Sequence, residues 1–154
     1  MRYRIINDDV LTQCISEIIR RQQVGIPNVI ITDKDETRSQ AQNRLYWLWL
    51  HYLQSQTGQG DADWHLYYKR NLLAKIYARD DGEMAMLFEQ MRTLRHQADY
   101  EKTVALPMTK HFLSTTKAST SQFSEYLNQI EVDAYSKGIL LPTPEDLLWV
   151  REFI

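Results

Sequence analysis

The longest regular pattern of apolar positions lies in the first half of the chain, between Thr37 and Gln56. Apolar residues recur there every three or four positions, a spacing that places side chains on one side of an α-helix. Ser39, followed three residues later by Gln42, fits a capping box and predicts that the helix begins at this point. The side predicted to face the core carries Leu45, Leu48, Trp49, Tyr52 and Leu53.

Four further segments show helical spacing, and a short apolar helix is predicted from Glu145 onwards. The segment 99–116 shows no clear period and fits either strand or loop. The other helices are predicted at about residues 9–23, 61–78, 83–97 and 120–137. The first of them is expected to bury Val10, Leu11, Cys14, Ile15, Ile18 and Ile19, and the last Phe123, Tyr126, Leu127, Ile130 and Ala134.

The run 2–6 alternates well enough for a strand, and the run 28–32 is rich in β-branched residues, which is typical of a buried strand. A helix between two strands of one sheet makes them parallel neighbours or near neighbours. We therefore expect an α+β fold in which a small sheet packs against four to six helices. At this length we expect one domain over residues 1–154, with an apolar tail, 142–154, that docks on the body or on a partner subunit.

Composition narrows the class of protein without identifying it. The single cysteine, Cys14, excludes an internal disulfide framework, and no secretory or membrane-spanning segment is recognisable, so we expect a cytoplasmic protein. The net charge of −2 by itself argues against a dedicated high-affinity nucleic-acid binder, but the charge is unevenly distributed. Residues 38–79 contain six basic and two acidic residues, which could form a local positive footprint on a mildly acidic protein.

Basic, amide and aromatic side chains are interleaved in this positive segment. Such a mixture suits single-stranded nucleic acid, because cations neutralise phosphates, amides bond to sugars or base edges, and aromatic rings stack on bases. The same pattern also fits an ordinary amphipathic helix with solvated lysines. The candidate contacts are Arg38, Gln42, Asn43, Arg44 and Trp47 on the first helix, Lys69, Arg70 and Lys75 on the next, and Lys110 and Lys117 on a second track.

The string R-S-x-x-Q-N-R-x-x-W, which runs from Arg38 to Trp47, resembles the NinB family of phage recombination proteins, also called Orf. A tryptophan-opened helix with a basic stretch and a later Ser/Thr segment before an amphipathic helix extend the resemblance to about two thirds of the chain. The resemblance implies a homodimeric recombination mediator that binds single-stranded DNA and the host single-strand-binding protein and helps a recombinase to load. It implies neither an enzyme nor a cofactor.

Two other hypotheses stay open. The acidic run Asp33 to Glu36 could hold metal ions in a nuclease of branched or single-stranded DNA, although a solvated loop explains it more simply. Alternatively, the helix that contains Trp47 could be a dimer interface without any DNA contact. His65 has no second metal ligand at a suitable spacing, so we expect it to be a hydrogen-bonded structural residue.

Overall fold

The structure, a computed structural model, describes residues 3–31 and 36–152. In these two ranges the chain forms helices, most of them joined by short turns, and the described residues between α1 and α2 are irregular. The helices are α1 (Asp8–Gln22), α2 (Arg38–Thr57), α3 (Asp61–Tyr68), α4 (Ala74–Asp80), α5 (Gly82–Thr93), α6 (Leu106–His111), α7 (Thr120–Ser136) and α8 (Leu148–Arg151).

The prediction of an α+β fold is wrong, because the described part of the chain contains no strand. Residues 3–6 and 28–31 belong to no regular element, and the remaining positions of the two predicted strands, Arg2 and Thr32, lie outside the described residues. A strand needs a neighbour that takes up its backbone N–H and C=O groups. β-Branched residues favour extended backbone but do not supply that neighbour.

Helix α2 lies at the centre of the fold and is buried on more than the predicted side. Leu45, Trp49 and Leu53 are buried as expected, and Leu48 and Tyr52 pack at the edge of the core. Tyr46 and Leu50, which are not part of this stripe, are fully buried too. The extra burial arises because α3, α7 and α8 all contact α2, so it presents several faces to neighbours.

The start of α2 is displaced by two residues from the predicted capping box. Thr37 is the N-cap, and it exchanges hydrogen bonds with Gln40 in the reciprocal pattern expected for Ser39 and Gln42. Both pairs have the required spacing, so the sequence alone does not separate them. The consequence is that Gln42 is released from capping and lies inside the helix.

The segment after α2 runs back along it as one nearly continuous helix. α3 and α4 are joined by the π-helical turn Lys69–Leu73, and Leu73 and Ile76 are buried. A second π-helical turn, Glu101–Ala105, leads into α6, so the region left open as strand or loop is largely helical. Helix α5 forms where it is predicted, although none of its residues is fully buried.

Helix α7 follows its sequence pattern closely. Ser119 caps it and forms a capping box with Gln122, and Gly138 follows its last turn at a φ of 77°, in the left-handed region that favours glycine. The five residues predicted to face the core are all buried: Phe123, Tyr126, Leu127, Ile130 and Ala134.

The C-terminal segment packs on the body. Leu147 and Val150 are fully buried, and the Trp49 indole Nε1 donates a hydrogen bond of 2.8 Å to the carbonyl oxygen of Pro142. Phe153 and Ile154, which were expected to dock with this segment, lie outside the described residues.

Helix α1 forms as predicted, with the Asn7 side chain accepting a hydrogen bond from the backbone N–H of Val10. The predicted burial of its apolar side is wrong. Only Val10 is buried, whereas Leu11, Ile15 and Ile19 are exposed. The pattern of α1 therefore predicts its helical structure correctly, but the described body does not cover its apolar face.

Candidate nucleic-acid interface

Two aromatic rings from neighbouring helices form a stacked pair at the surface. The indole of Trp47 on α2 lies on the imidazole of His65 on α3, with ring centroids 5.1 Å apart and an angle of 20° between the planes. Trp47 is 36% exposed, so its ring remains partly accessible. One turn earlier on α2, the side chain of Asn43 is exposed. One turn later, His51 is exposed and lies 3.1 Å from a carboxylate oxygen of Asp61.

The imidazole of His65 in this stacked pair is hydrogen-bonded to a residue of the core. The hydroxyl of Tyr46 and Nδ1 of His65 share a hydrogen bond of 2.7 Å, and the Tyr46 hydroxyl also lies 3.2 Å from that of Tyr126. Burial, reinforced by the positive charge of Lys69 and opposed by Asp61, lowers the pKa of His65 to about 4. His65 is therefore neutral at pH 7, and the expected hydrogen bond of this histidine is confirmed.

Lys69 lies one turn beyond His65, where the π-helical turn begins. It was expected to be solvated, but only 5% of the residue is exposed, and burial lowers the pKa of its amine. Within residues 3–31 and 36–152, no carboxylate or hydrogen-bond acceptor pairs with its ammonium group. The ammonium is thus partly desolvated and has no counter-charge in the described chain, although its nitrogen still reaches solvent, so a bound anion would be stabilising there.

Gln42 was predicted to be presented at the surface, and this placement is wrong. The residue is 1% exposed, and its Nε2 donates hydrogen bonds of 2.7 Å to Ser124 Oγ and 3.2 Å to the carbonyl oxygen of Thr120. The guanidinium of Arg38, half-buried beside it, also donates to Ser124 Oγ at 3.3 Å. Gln42 thus ties α2 to the first turn of α7.

Arg44 is likewise engaged with the protein itself. Its guanidinium lies 2.7 Å from a carboxylate oxygen of Glu36 and 2.7 Å from one of Asp146, and both acidic side chains are almost fully buried. This bridge joins the segment before α2 to the turn before α8. Its charge is already compensated by two carboxylates, so the structure does not present Arg44 as a ready phosphate contact.

The remaining candidate cations lie at the surface. Arg70 forms an exposed, two-pronged ion pair with Glu101, with N···O distances of 2.5 and 2.9 Å. Lys75, Lys110 and Lys117 are exposed on α4, on α6 and after α6 respectively. Exposed ion pairs are weak, so Arg70 can exchange its carboxylate for a phosphate at little cost.

The structure therefore divides the predicted site residues into three groups. Asn43 and Trp47 lie on the same side of α2, and Lys69 lies one turn beyond His65, which stacks on Trp47. Arg38, Gln42 and Arg44 bond to other segments of the chain instead, and the third group consists of the exposed cations Arg70, Lys75, Lys110 and Lys117. Sequence reasoning missed the stacking of Trp47 on His65, because no local pattern indicates which residues of two different helices meet.

The metal-site hypothesis receives no support from the described residues. Asp33 and Asp35 lie outside them, and Glu36, the third candidate ligand, is bound to Arg44. Among the residues that the structure describes, no group of three or more His, Cys, Asp or Glu side chains could hold a metal ion.

Comparison with known proteins gives no identification: no family model, no curated protein and no solved structure matches the chain significantly. In the described segments, no helix is both long and apolar enough to cross a membrane. The candidate site therefore rests on its own geometry.

Proposed function

We propose that the chain binds single-stranded DNA at the face formed by Trp47, His65 and Lys69. The observation that carries this proposal is the partly exposed Trp47–His65 stack one helical turn from a lysine that has no counter-charge among the described residues. A nucleotide offers the two complementary groups, a flat base and an anionic phosphate. Stacking on an exposed ring contributes about 1–3 kcal/mol per base.

Each residue of this face would have a distinct role. The accessible face of the Trp47 indole would stack on a base, and the neutral imidazole of His65 would contact the opposite face of the indole. The ammonium of Lys69 would donate hydrogen bonds to a phosphate, and these bonds would replace part of the solvation that the ammonium loses on burial. Asn43, whose amide is exposed one turn away, would bond to a sugar or a base edge. Binding would depend little on sequence, because the stacking and phosphate contacts do not distinguish one base from another.

The biological role that we propose comes from the resemblance to the NinB family. In that role the chain is a phage recombination mediator in the host cytoplasm, binds the host single-strand-binding protein, assembles as a homodimer and helps a recombinase to load without catalysing a reaction. Lys75, Lys110, Lys117 and Arg70 would then add salt-sensitive phosphate contacts along the path of the strand.

Fluorescence anisotropy of a labelled single-stranded oligonucleotide tests the binding proposal. Wild-type protein is expected to bind, and its affinity should fall steeply as the salt concentration rises. Trp47→Ala should weaken binding by a factor of about 5 to 150, the equivalent of one lost stack, whereas Trp47→Phe should retain most of the affinity. Tyr135→Ala is the matched control, because Tyr135 is an exposed ring near the opposite end of α7 from Ser124.

The same titration has outcomes that contradict the proposal. If wild-type protein does not bind at low salt, the chain does not have this function. If the Trp47→Ala and Tyr135→Ala proteins bind the oligonucleotide with equal affinity, DNA binds at another part of the protein surface. Cleavage of the oligonucleotide in the presence of magnesium or manganese would instead favour a nuclease.

A further inference from the structure

A cavity of about 420 Å³ opens between the end of α3 and the segment that leads into α6. Its apolar wall comes from two leucines and the ring of Tyr67, and its polar groups are Arg70, Asn71, Glu101 and Thr109. Ligand pockets in proteins combine these features, because apolar walls exclude water and a few converging polar groups orient the ligand. The volume is within the range of roughly 300–1,000 Å³ that is usual for such pockets.

Most of the polar groups of this cavity come from two π-helical turns. Arg70 and Asn71 belong to the turn Lys69–Leu73, and Glu101 is the first residue of the turn Glu101–Ala105. Turns of this kind are rare and occur frequently at functional sites. Two of them border the same cavity here, and this is an indication of a ligand site that does not depend on the volume.

Arg70 and Glu101 bond to each other in the lining of the cavity. Nη1 and Nη2 of Arg70 donate hydrogen bonds of 2.5 and 2.9 Å to the two carboxylate oxygens of Glu101. Both side chains are exposed, so water screens the ion pair and its separation costs little free energy. A ligand that offers the carboxylate the same two donors can therefore take the place of the guanidinium.

Among the common nucleobases, guanine has the donor pattern that the carboxylate of Glu101 accepts. Its N1–H and N2–H₂ groups belong to a guanidine unit, so they present the same two-donor fork as arginine does. At the equivalent edge, adenine and cytosine place an acceptor beside one donor, and thymine places one donor between two carbonyl oxygens. An ionised carboxylate only accepts hydrogen bonds, so it discriminates against these three bases.

We propose that this cavity binds the guanine base of a nucleotide, with Glu101 accepting hydrogen bonds from N1–H and N2–H₂. The flat base packs against the apolar wall that contains Tyr67. Arg70, released from Glu101, bonds to the phosphate of the same nucleotide, for which the planar guanidinium is well suited. The two partners of the ion pair thus separate and recognise the two ends of one ligand.

The other two polar side chains of the cavity are oriented by the backbone. The Asn71 amide donates a hydrogen bond of 2.8 Å to the carbonyl oxygen of Tyr67, and the buried hydroxyl of Thr109 donates one of 2.9 Å to that of Ala105. Their side-chain oxygens retain the capacity to accept a hydrogen bond, as the hydroxyl groups of a sugar require. Side chains that are already oriented lose less conformational entropy when a ligand binds.

Recognition of guanine at Glu101 goes beyond the proposed function, in which the contacts with the strand do not distinguish the bases. The guanine comes either from a free nucleotide or from a strand that also stacks on Trp47. The hydrogen bonds to Glu101 are the same in both cases. The cavity shares no lining residue with the Trp47–His65 stack, so either site can be tested without the other.

Isothermal titration calorimetry of the full chain with guanosine monophosphate tests the proposal. The matched ligand is inosine monophosphate, which lacks only the N2 amine and so loses one of the two hydrogen bonds to Glu101. The guanine nucleotide should bind about tenfold more tightly than the inosine nucleotide. Its preference over adenosine monophosphate should be a factor of about 5 to 150, the equivalent of one two-pronged base contact.

Substitutions at the ion pair assign the contacts. Glu101→Gln keeps the size of the side chain but adds a donor, so the preference for guanosine over inosine monophosphate should disappear. Arg70→Met should weaken the binding of guanosine monophosphate but not that of guanosine, which has no phosphate. The matched control is Glu89→Gln, because Glu89 forms a similarly exposed ion pair with Arg92 on α5, outside the cavity. The control protein should keep the wild-type preference.

Two oligonucleotides identify the source of the guanine: an all-thymine strand and the same strand with one central guanine. Tighter binding of the second strand by wild-type protein, and not by Glu101→Gln protein, places the cavity on the path of the DNA. Equal binding of the two strands, together with selective binding of guanosine monophosphate, identifies a free guanine nucleotide as the ligand.

Two results would overturn the proposal. One is the absence of any preference for guanine, both among the free nucleotides and between the two strands. The other is a preference that is unchanged in Glu101→Gln protein, because guanine would then be recognised outside this cavity. Failure to bind the all-thymine strand contradicts the proposed function instead, so the two proposals can fail separately.

Discussion

The indole of Trp47 rests on the imidazole of His65, and the same imidazole shares a hydrogen bond with the buried hydroxyl of Tyr46. The orientation of the surface ring is therefore set from the core, through one intermediate residue. A ring that is already oriented loses less conformational entropy when a base stacks on it. This connection makes the candidate site sensitive to changes that do not touch a ligand.

The pKa of His65 predicts a specific loss of stability in acid. Because burial lowers this pKa from 6.5 to about 4, the imidazole takes up a proton in the unfolded chain before it does so in the folded chain. The contribution of His65 to stability is therefore complete above pH 6.5 and is lost as the pH falls towards 4. With allowance for the partial exposure of the ring, we expect a loss of about 2 kcal/mol.

Urea unfolding at pH 7 and pH 4 measures this effect. His65→Gln retains a hydrogen-bond partner for Tyr46 but does not titrate, so its stability should fall less between the two pH values than that of wild type. The control His111→Gln removes an exposed histidine and should preserve the wild-type pH profile. Identical profiles for His65→Gln and wild type would rule out this account.

Replacement of Lys69 with methionine should have opposite effects on stability and on DNA binding. Methionine fills similar space without a desolvated charge, so the free energy of unfolding at pH 7 should rise by about 1 kcal/mol. The gain should shrink as the pH rises towards 10.5, because the wild-type amine then becomes neutral in the folded chain first. The slope of log affinity against log salt should fall by about one.

The matched substitution is Lys75→Met, since Lys75 is exposed on the same continuous helix. It should change stability by less than about 0.5 kcal/mol. Thermal or urea unfolding gives the first readout and anisotropy the second. A loss of stability in Lys69→Met would show that the ammonium has a favourable partner in solution.

Alanine substitutions of Gln42 and of its neighbour Asn43 should distinguish a residue that stabilises the fold from one that binds DNA. Gln42→Ala removes two hydrogen bonds between α2 and the start of α7, so it should lower the free energy of unfolding by about 1–3 kcal/mol. Its DNA affinity, measured on folded protein, should stay near that of wild type. Asn43→Ala should show the reverse, with unchanged stability and weaker binding. Weaker DNA binding by folded Gln42→Ala protein would show that Gln42 is part of the DNA-binding site.

The bridge from Arg44 to Glu36 and Asp146 should be important for stability. Arg44→Met leaves two nearly buried carboxylates without their cation, and we expect a loss of about 3 kcal/mol. Adding Asp146→Asn should restore part of that loss, because it removes one of the stranded charges. Double-mutant analysis of urea unfolding gives the coupling between the two residues.

The contrasting pair is Arg70 with Glu101, which is exposed on both sides. Arg70→Met should lower stability by less than about 1 kcal/mol, because water already screens that interaction. Equal losses for Arg44→Met and Arg70→Met would mean that burial does not set the strength of the Arg44 bridge.

The sequence by itself determined where most of the helices lie, although it left the region of α6 open. Helices α1, α2, α5 and α7 are confirmed because helical spacing, caps and breakers act over a few neighbouring residues, and all of that information is local. The core side of α7 is confirmed for the same reason. For the candidate site, the sequence identified Trp47 and Asn43 as surface residues and His65 as a structural one.

Only the tertiary structure decided which faces are covered and which side chains meet. The predicted strands 2–6 and 28–32 depend on a distant partner that a local pattern does not reveal, so extended propensity did not produce a sheet in the described chain. The sequence pattern predicts that Gln42 and Lys69 lie at the surface. In the folded chain Gln42 is buried where α7 packs beside α2, and Lys69 is buried at the start of the π-helical turn. Leu11, Ile15 and Ile19 show the converse, since an apolar stripe does not specify whether its cover is the chain itself or another molecule.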